Sequence, residues 1–429
     1  MASPSVLAEQ HAPRRRREAR LVVGLGEAGA RDDHSSICPF DHLSICPTAT
    51  SYSSPVTHAS RMLDLAARHA LRAQGDVEPG AIVGCVIEMN GQIVAIGHHR
   101  RHGGPHAERE ALDSCARRGI DPRGGTMYVT LEPCNAHGKN PPCSEAVIKA
   151  GIAKVVYACD DPNPLKAGGA ARLREAGIDV ELCNESSLAC DVSEPFRHRL
   201  LTRRPWVIAK WAQTIDGRIA TRTGESKWIS SPRSRARVHR LRARVDAIIT
   251  GIGTVLADDP ALNARDVPRA RRIARRVVCD TDLDIPLDCQ LVRTARDIPT
   301  TIACAAELVG SEIMRDKQAK LEAAGIELLA VPAGQRGVDL EALMRLLMER
   351  HICATVLVEA GPGLLGSLFD ADQVDEAVVY VAPMLLGDEM ARSVAVGRVA
   401  QSLSAARRLR LWRSKPIGDD IELTYRRRR

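Results

Sequence analysis

AIVGCVIEMNGQIVAIGHHRRHGGPHAEREAL, residues 81–112, holds two apolar runs, an Asn-Gly pair between them and a helical pattern opened by a proline. Asn90-Gly91 supplies the left-handed residues of a tight hairpin turn, so the two runs read as paired strands. PHAEREALDSCARRG (105–119) then reads as a helix with His106 and Glu108 in its first turn. Outward from this stretch, strands and helices alternate. SRMLDLAARHALRAQG is an amphipathic helix, GTMYVTLEPC a buried strand ending in a loop, PPCSEAVIKAGI a helix, AKVVYACDDPN a strand, and GAARLREAGIDVEL a helix followed by a strand. Such alternation implies an α/β domain.

LLTRRP, near 200–205, reads as a linker, after which a second alternating series begins. WVIAKWAQTIDGRIA is a strand and turn, SPRSRARVHRLRARV a helix, and DAIITGIGTVLAD a strand running into a glycine-rich loop. RRVVCDTDLDIP, TTIACAA, IELLAVPA, ICATVLVEAGPGLLGSLFDA and VDEAVVYVAPMLLG continue the series, which implies a second α/β domain with its own core. The expected organisation is 1–58, 59–200 and 205–429. The first segment has an Arg run (Arg14 to Arg17), Ser-rich stretches and no helical or strand period, so it reads as a disordered extension or as a start assigned too far upstream of Met62. GLGEAG at 24–29 matches a dinucleotide fingerprint but lacks the strand and helix that would give the match meaning.

The chain has 429 residues, 45% of them apolar, which suffices for more than one core. A net charge of +7 suits anionic small substrates as well as nucleic acid, while aromatics at 3% argue against a base-stacking surface. Thirteen cysteines, several inside apolar runs (Cys85, Cys159, Cys279, Cys304), read as reduced thiols of a cytoplasmic protein. No apolar run approaches the roughly 18–20 residues of a membrane span, so no membrane partner is expected.

His106, Glu108, Cys134 and Cys143 form H-A-E … P-C-x8-C. Taken singly, a His-x-Glu is usually a solvated helix face and a Cys after Pro a turn. In this order, with a strand leading into Pro133-Cys134 and Pro142-Cys143 opening a helix, they read as a catalytic zinc site. One imidazole and two thiolates leave a tetrahedral position for water, whose pKa the metal lowers. Glu108 is then the proton shuttle and not a ligand. Both cysteines are expected at or before helix starts, where the helix dipole favours a thiolate. A structural zinc would take a fourth protein ligand; His137 is the nearest rival, and it could contact substrate instead.

GPHAEREAL, YVTLEPCNAHGKNPPC, AVIKAGIAKVV and DDPNP resemble the zinc deaminase half of the bifunctional riboflavin-biosynthesis deaminase/reductases, within the cytidine-deaminase-like hydrolases. The long insert between the cysteines separates this pattern from nucleic-acid and cytidine deaminases, which place two residues there. TIDGRIATRTGESKWISS, LRARVDAIITGIGTVLADDPALNAR and VLVEAGPGLLGSLF resemble the reductase half of the same family. The resemblance implies an N-terminal cytidine-deaminase-like α/β/α domain followed by a dihydrofolate-reductase-like α/β domain. It implies Zn2+ and NADPH as cofactors and a small phosphoribosylaminopyrimidine as substrate, with no nucleic acid, in a homo-oligomer. The first half would hydrolytically deaminate 2,5-diamino-6-(5-phosphoribosylamino)pyrimidin-4-one, and the second would reduce the ribosyl ring to ribityl.

By the same resemblance NADPH is contacted by Ala212, Trp228, Thr254, Asp258, Thr281 and a loop of Gly361, Pro362, Gly363, Leu364, Leu365, Gly366 and Ser367. Substrate is contacted by Lys139 in the first half and by Lys210, Ser226, Arg242, Leu262, Arg265 and Glu359 in the second. Arg242 and Arg265 suit a phosphate, which guanidinium grips bidentately, although either would otherwise read as a solvated helix face. Gly251 and Gly253, like the 361–366 glycines, sit where a strand ends, the place for phosphate-approaching backbone in α/β sheets.

The sequence departs from the family pattern in the first half. EPGAIVGCV puts Gly80 and Ala81 where the family has Asn and Pro, Ala136 replaces a polar or aromatic residue, and KAGGA (166–170) moves a positive charge to Lys166. All are expected to line the deaminase pocket. They leave open a paralogue acting on the same early intermediates in a toxoflavin-type pathway, or a reductase with an impaired deaminase domain.

Overall fold

The computed structural model describes residues 57–138, 141–397 and 400–428. The expectations for 1–56, including GLGEAG, and for Lys139 lie outside them.

The first sheet has strand order β2-β1-β3-β4-β5, built from β1 (Gly84–Met89), β2 (Gln92–His98), β3 (Thr126–Val129), β4 (Lys154–Tyr157) and β5 (Asp179–Leu182). β1 pairs antiparallel with β2 and β3, and β3, β4 and β5 run parallel. Asn90 and Gly91 take φ of 50° and 74°, the left-handed pair that turns β1 into β2. Side chains alternate across the sheet. Cys85 and Ile87 face α2 (Ala107–Arg117), α3 (Cys143–Ala150) and α4 (Gly169–Glu175), while Val86 faces α1 (His58–Ala70) and α5 (Ser187–Val192). The result is the three-layer α/β/α domain expected. A Cβ on Gly84 would lie 1.9 Å from the Ala66 carbonyl oxygen, so only glycine lets α1 lie this close to β1.

The expected linker is shorter than LLTRRP. α6 (Glu194–Thr202) runs through it, with a proline in its first turn and Arg203 left-handed at its end, so only 203–205 connects the halves. Neither α5 nor α6 stands out in the sequence, since both are short.

The second sheet has nine strands in the order β11-β10-β9-β8-β14-β6-β15-β18-β17. The strands and helices of this half, in chain order, are β6 (Trp206–Thr214), β7 (Arg218–Ala220), α7 (Pro232–Arg242), β8 (Ala247–Gly251), α8 (Ile252–Asp258), β9 (Arg275–Cys279), α9 (Gln290–Arg293), β10 (Thr300–Ala305), α10 (Arg315–Ala323), β11 (Ile326–Val331), β12 (Ala333–Gly334), β13 (Gly337–Val338), α11 (Leu340–His351), β14 (Thr355–Val358), α12 (Pro362–Asp370), β15 (Glu376–Ala382), β16 (Arg392–Ser393), β17 (Leu409–Ile417) and β18 (Asp420–Arg427), of which β12 with β13 and β7 with β16 form two separate two-stranded sheets. From β11 to β15 the sheet is parallel, and β18 and β17 add an antiparallel edge. Its central strands are buried on both faces: Val207, Ile249 and Val356 pack under α11 and α12, and Ile208, Ile248 and Leu357 under α7 and α8. The C-terminal ends of β8, β9 and β14 open together, which is where parallel sheets hold ligands.

Arginines join the two halves. Arg271 donates to the Arg72 carbonyl oxygen at 2.8 Å, Arg272 to that of Gly75 at 2.7 Å, and Arg269 lies 3.4 Å from Asp76. On another face Arg426, 4% exposed, reaches the Asp191 carbonyl oxygen at 2.8 Å and the carboxylates of Glu194 and Glu376 at 3.3 and 2.9 Å, stacked on Trp412. Among the described residues no helix is long and apolar enough to cross a membrane.

Candidate metal site and reductase cleft

His106 is the N-cap of α2, and its ring makes no capping bond, which leaves both nitrogens for other partners. Cys143 is the first residue of α3, and Cys134 lies in the loop after β3. His106 Nδ1 is 3.3 Å from Cys143 Sγ and 3.5 Å from Cys134 Sγ, and all three donor atoms lie within 4.8 Å of one another. Zinc–nitrogen and zinc–sulfur bonds at tetrahedral angles would separate N from S by about 3.5 Å. The donor set and its spacing therefore fit zinc.

The loop that carries Cys134 is pinned from below. Glu132 accepts backbone N–H groups of Asp161, Gly168 and Ala170 at 3.3, 3.1 and 2.9 Å, and Ser144 N donates to the Cys134 carbonyl oxygen at 3.1 Å. A Cβ on Gly169 would fall 1.7 Å from the Pro133 carbonyl oxygen, so α4 can start against this loop only with glycine there. Cys134 does not precede a helix, contrary to expectation. Instead the Cys143 N–H at the start of α3 points at its sulfur at 3.5 Å. A hydrogen bond from the Cys143 thiol, together with His106 and this N–H, pulls the Cys134 thiol far below its usual range, whereas Cys143 is pushed up. A divalent cation held by the triad would favour the thiolate form of both cysteines.

Glu108 lies in the first turn of α2, two residues past His106, 3% exposed; burial pushes its carboxyl up to about 7 against the opposing charge of His106. His137 does not join the cluster: its side chain is 75% exposed, 3.9 Å from Glu145. The cluster floors a pocket of about 230 Å³ whose walls include Gly80, Ala81, Ala136 and Lys166, the positions where the sequence departs from its family pattern. His99 also lines it, unremarked in the sequence although it sits beside His98 at the end of β2. Its Nε2 is buried without a partner among the described residues, and burial holds its pKa at about 4, so the ring is neutral.

The reductase half has a cleft of about 1670 Å³ at the strand ends. The structure brings Ala212, Trp228, Thr254, Asp258, Thr281, Gly361, Pro362, Gly363, Leu364 and Ser367 to its wall, with Lys210, Ser226, Arg242, Leu262, Arg265 and Glu359. Two expected cofactor contacts are corrected. Leu365 is fully buried in the core under the sheet, and Gly366 is turned away, where a Cβ would lie 2.0 Å from the Val396 carbonyl oxygen. The reason is that 361–367 is no loop. Pro362 opens α12, and a helix sends only part of its surface to the cleft. Gly361 caps it without a side chain, so the first-turn N–H groups stay available to an anion.

Arg242 lines the cleft, but its guanidinium is engaged. Nε and Nη2 donate to Glu359 at 2.6 and 3.1 Å, and Nη1 to the Asn263 carbonyl oxygen at 3.0 Å. Lys210 Nζ is 3.4 Å from the same carboxylate. Burial alone would raise Glu359, and these two cations overcome it and hold it at about 2. Arg265 is exposed, its guanidinium making one weak bond to Asn263, and is a cation available to a phosphate. Arg336, on the β12–β13 turn, also reaches the cleft; nothing in the sequence singled it out.

Comparison with known proteins agrees with both sites. Residues 56–159 match the cytidine and deoxycytidylate deaminase zinc-binding region, and residues 205–423 match the RibD C-terminal domain. The chain is 43% identical to the riboflavin biosynthesis protein RibD of Actinobacillus pleuropneumoniae over 360 residues, 83% of this chain and 92% of that one. It is 37% identical to RibD of Escherichia coli (strain K12) over 355 residues, 82% and 95% of the two chains. Among solved structures, Acinetobacter baumannii RibD (form 1) superposes with a TM-score of 0.70 at 33% identity, covering 86% of this chain and 99% of that one. The Thermotoga maritima diaminohydroxyphosphoribosylaminopyrimidine deaminase/5-amino-6-(5-phosphoribosylamino)uracil reductase does so with a TM-score of 0.70 at 29% identity, with the same coverage. A zinc-type donor triad in one half, a ligand cleft at the strand ends of the other, and full-length relatives with both halves in this order lead to one conclusion: the chain belongs to the RibD family of bifunctional riboflavin-biosynthesis enzymes.

Proposed function

We propose that this chain catalyses two steps of riboflavin biosynthesis: hydrolytic removal of the 2-amino group of 2,5-diamino-6-(5-phosphoribosylamino)pyrimidin-4-one, and NADPH-dependent reduction of the ribosyl group to ribityl. The observation that carries the reading is the convergence of His106, Cys134 and Cys143 above buried Glu108 on the floor of a pocket. Zinc on that triad supplies the Lewis acidity that makes water a usable nucleophile near neutral pH. Glu108 takes the proton from the attacking water and returns it to the departing amine, so one water is consumed and one ammonia leaves. The pinned 130–135 loop holds Cys134 in place, α3 holds Cys143, and burial keeps bulk water from the Glu108 carboxyl.

In the second half NADPH supplies the reducing equivalents. The uncapped start of α12 and Thr254 hold the cofactor's anionic groups, Trp228 gives a flat exposed face, and Arg265 receives the substrate phosphate. Glu359, locked between Lys210 and Arg242, fixes the wall beside them. Glu108→Gln should abolish deamination, about 100-fold or more, while zinc content and reductase turnover stay at wild-type levels. Persistence of deamination in that variant would remove the proposed role.

A further inference from the structure

We propose that His102 is a substrate-binding residue of the deaminase pocket, contacting the phosphate of the phosphoribosyl tail at the pocket mouth. The inference rests on the deaminase reading above. The reacting amine has to reach the floor, where Glu108, Cys134 and Cys143 are 3, 7 and 3% exposed. The other end of a phosphoribosylaminopyrimidine then emerges at the mouth as a dianion and needs N–H donors.

Among the described lining residues, four side chains can offer a cationic or imidazole N–H: His99, His102, His106 and Lys166. His106 is committed to the cysteines, and His99 is buried and neutral. His102 is exposed, and Lys166 is half-buried near the metal cluster. The carboxylates on the wall do not compete for His102. Glu132 is saturated by three backbone N–H groups, and Asp161 accepts from Asn163 N at 2.9 Å.

The backbone of His102 is fixed while its ring is free. His102 N donates to the Asp76 carbonyl oxygen at 3.0 Å and Gly104 N to that of Arg101 at 3.0 Å, which holds the turn. Its ring makes no hydrogen bond among the described residues. Gly80 borders the ring. The first atom of any side chain at 80 would already lie 3.5 Å from His102 Nδ1, and a longer one would enter the ring's space. Gly80 and His102 line the same wall of the pocket, and the N–H donor there comes from the 100–104 turn. A solvated loop histidine without function is the competing description, and the two differ in what substrate phosphate does.

The test uses the full-length zinc enzyme and two substrates, the diaminopyrimidine ribosylamine with and without its 5-phosphate. His102→Ala should raise KM for the phosphorylated substrate about tenfold, with kcat within about twofold, and leave KM for the dephosphorylated one unchanged. His102→Lys should restore the phosphorylated KM, whereas His102→Phe, which keeps the bulk, should not. Reductase turnover in the same preparations reports folding. An unchanged KM in His102→Ala, an equal rise for both substrates, or full rescue by Phe each overturns the proposal. Absence of deamination in the wild type would overturn the functional reading instead.

Discussion

Glu359 is 10% exposed between Arg242 and Lys210, so its charge is bought with two cations it cannot lose cheaply. Its carboxyl is held at about 2, below the ordinary 4.5, so the native state resists protonation more than the unfolded chain does. The stability it contributes is therefore complete above about 4.5 and is lost as pH falls from there through about 2. Glu359→Gln should cost about 2–4 kcal/mol near neutrality, and its thermal midpoint should converge on the wild type below pH 4.5. Midpoints running parallel from pH 7 to 3 would show that the carboxylate is not what the cations stabilise. At this scale the sequence was informative where ligands lie in one motif. His106 and Glu108 are two apart, and Cys134 and Cys143 share a loop. It was silent where partners are distant: Glu359 and Arg242 are separated by 117 positions, and both were expected to touch substrate when the strongest contact of each is the other.

The elements that carry the chemistry are spaced by glycines. Gly169 starts α4 against the Pro133 carbonyl, and α4 in turn offers Ala170 N–H to Glu132, which holds the Cys134 loop. Gly169→Ala should displace that loop by more than an ångström, lowering zinc content and cutting deamination about 10–100-fold, with reductase turnover intact. Zinc analysis beside the two half-reaction assays checks this, and full zinc with full deamination would refute it. The β1–β2 hairpin was legible because Asn-Gly has one strong conformational meaning. Gly-Pro-Gly was not: the same three letters that suggest a loop also make a helix start, and burial of Leu365 and Leu368 decides for α12. The β17–β18 edge was missed because LRLWRSKPI breaks its alternation with charges, of which Arg410 faces the first domain's Asp191 and Glu194 and Arg413 pairs with Glu422.

At the level of the whole molecule, the order of halves was readable but their seam was not. No motif announces that Arg426, 220 or more residues past α6, will neutralise Glu194. Glu194 is 1% exposed and has Arg426 at 3.3 Å and Arg410 at 3.5 Å, so removing Arg426 takes away the nearer of these two cations beside a buried carboxylate. Arg426→Ala should lower the heat-unfolding midpoint by about 5 °C or more, and limited proteolysis should then cut first between 193 and 205. A midpoint within a degree of wild type would mean that the two halves are held by other contacts.

Asn263, Arg265 and Asp266 stand on the wall of the reductase cleft, and a few residues on, Arg269 reaches the Asp76 carboxylate while Arg271 and Arg272 grip the backbone that leads to Gly80 in the deaminase pocket. One short stretch of chain therefore belongs to both catalytic neighbourhoods. For anyone dividing the gene, the obvious cut at 203–205 is covalently cheap but strips three guanidinium groups of their acceptors. Within this chain the two halves are therefore joined by hydrogen-bond acceptors as well as by the covalent connection at 203–205.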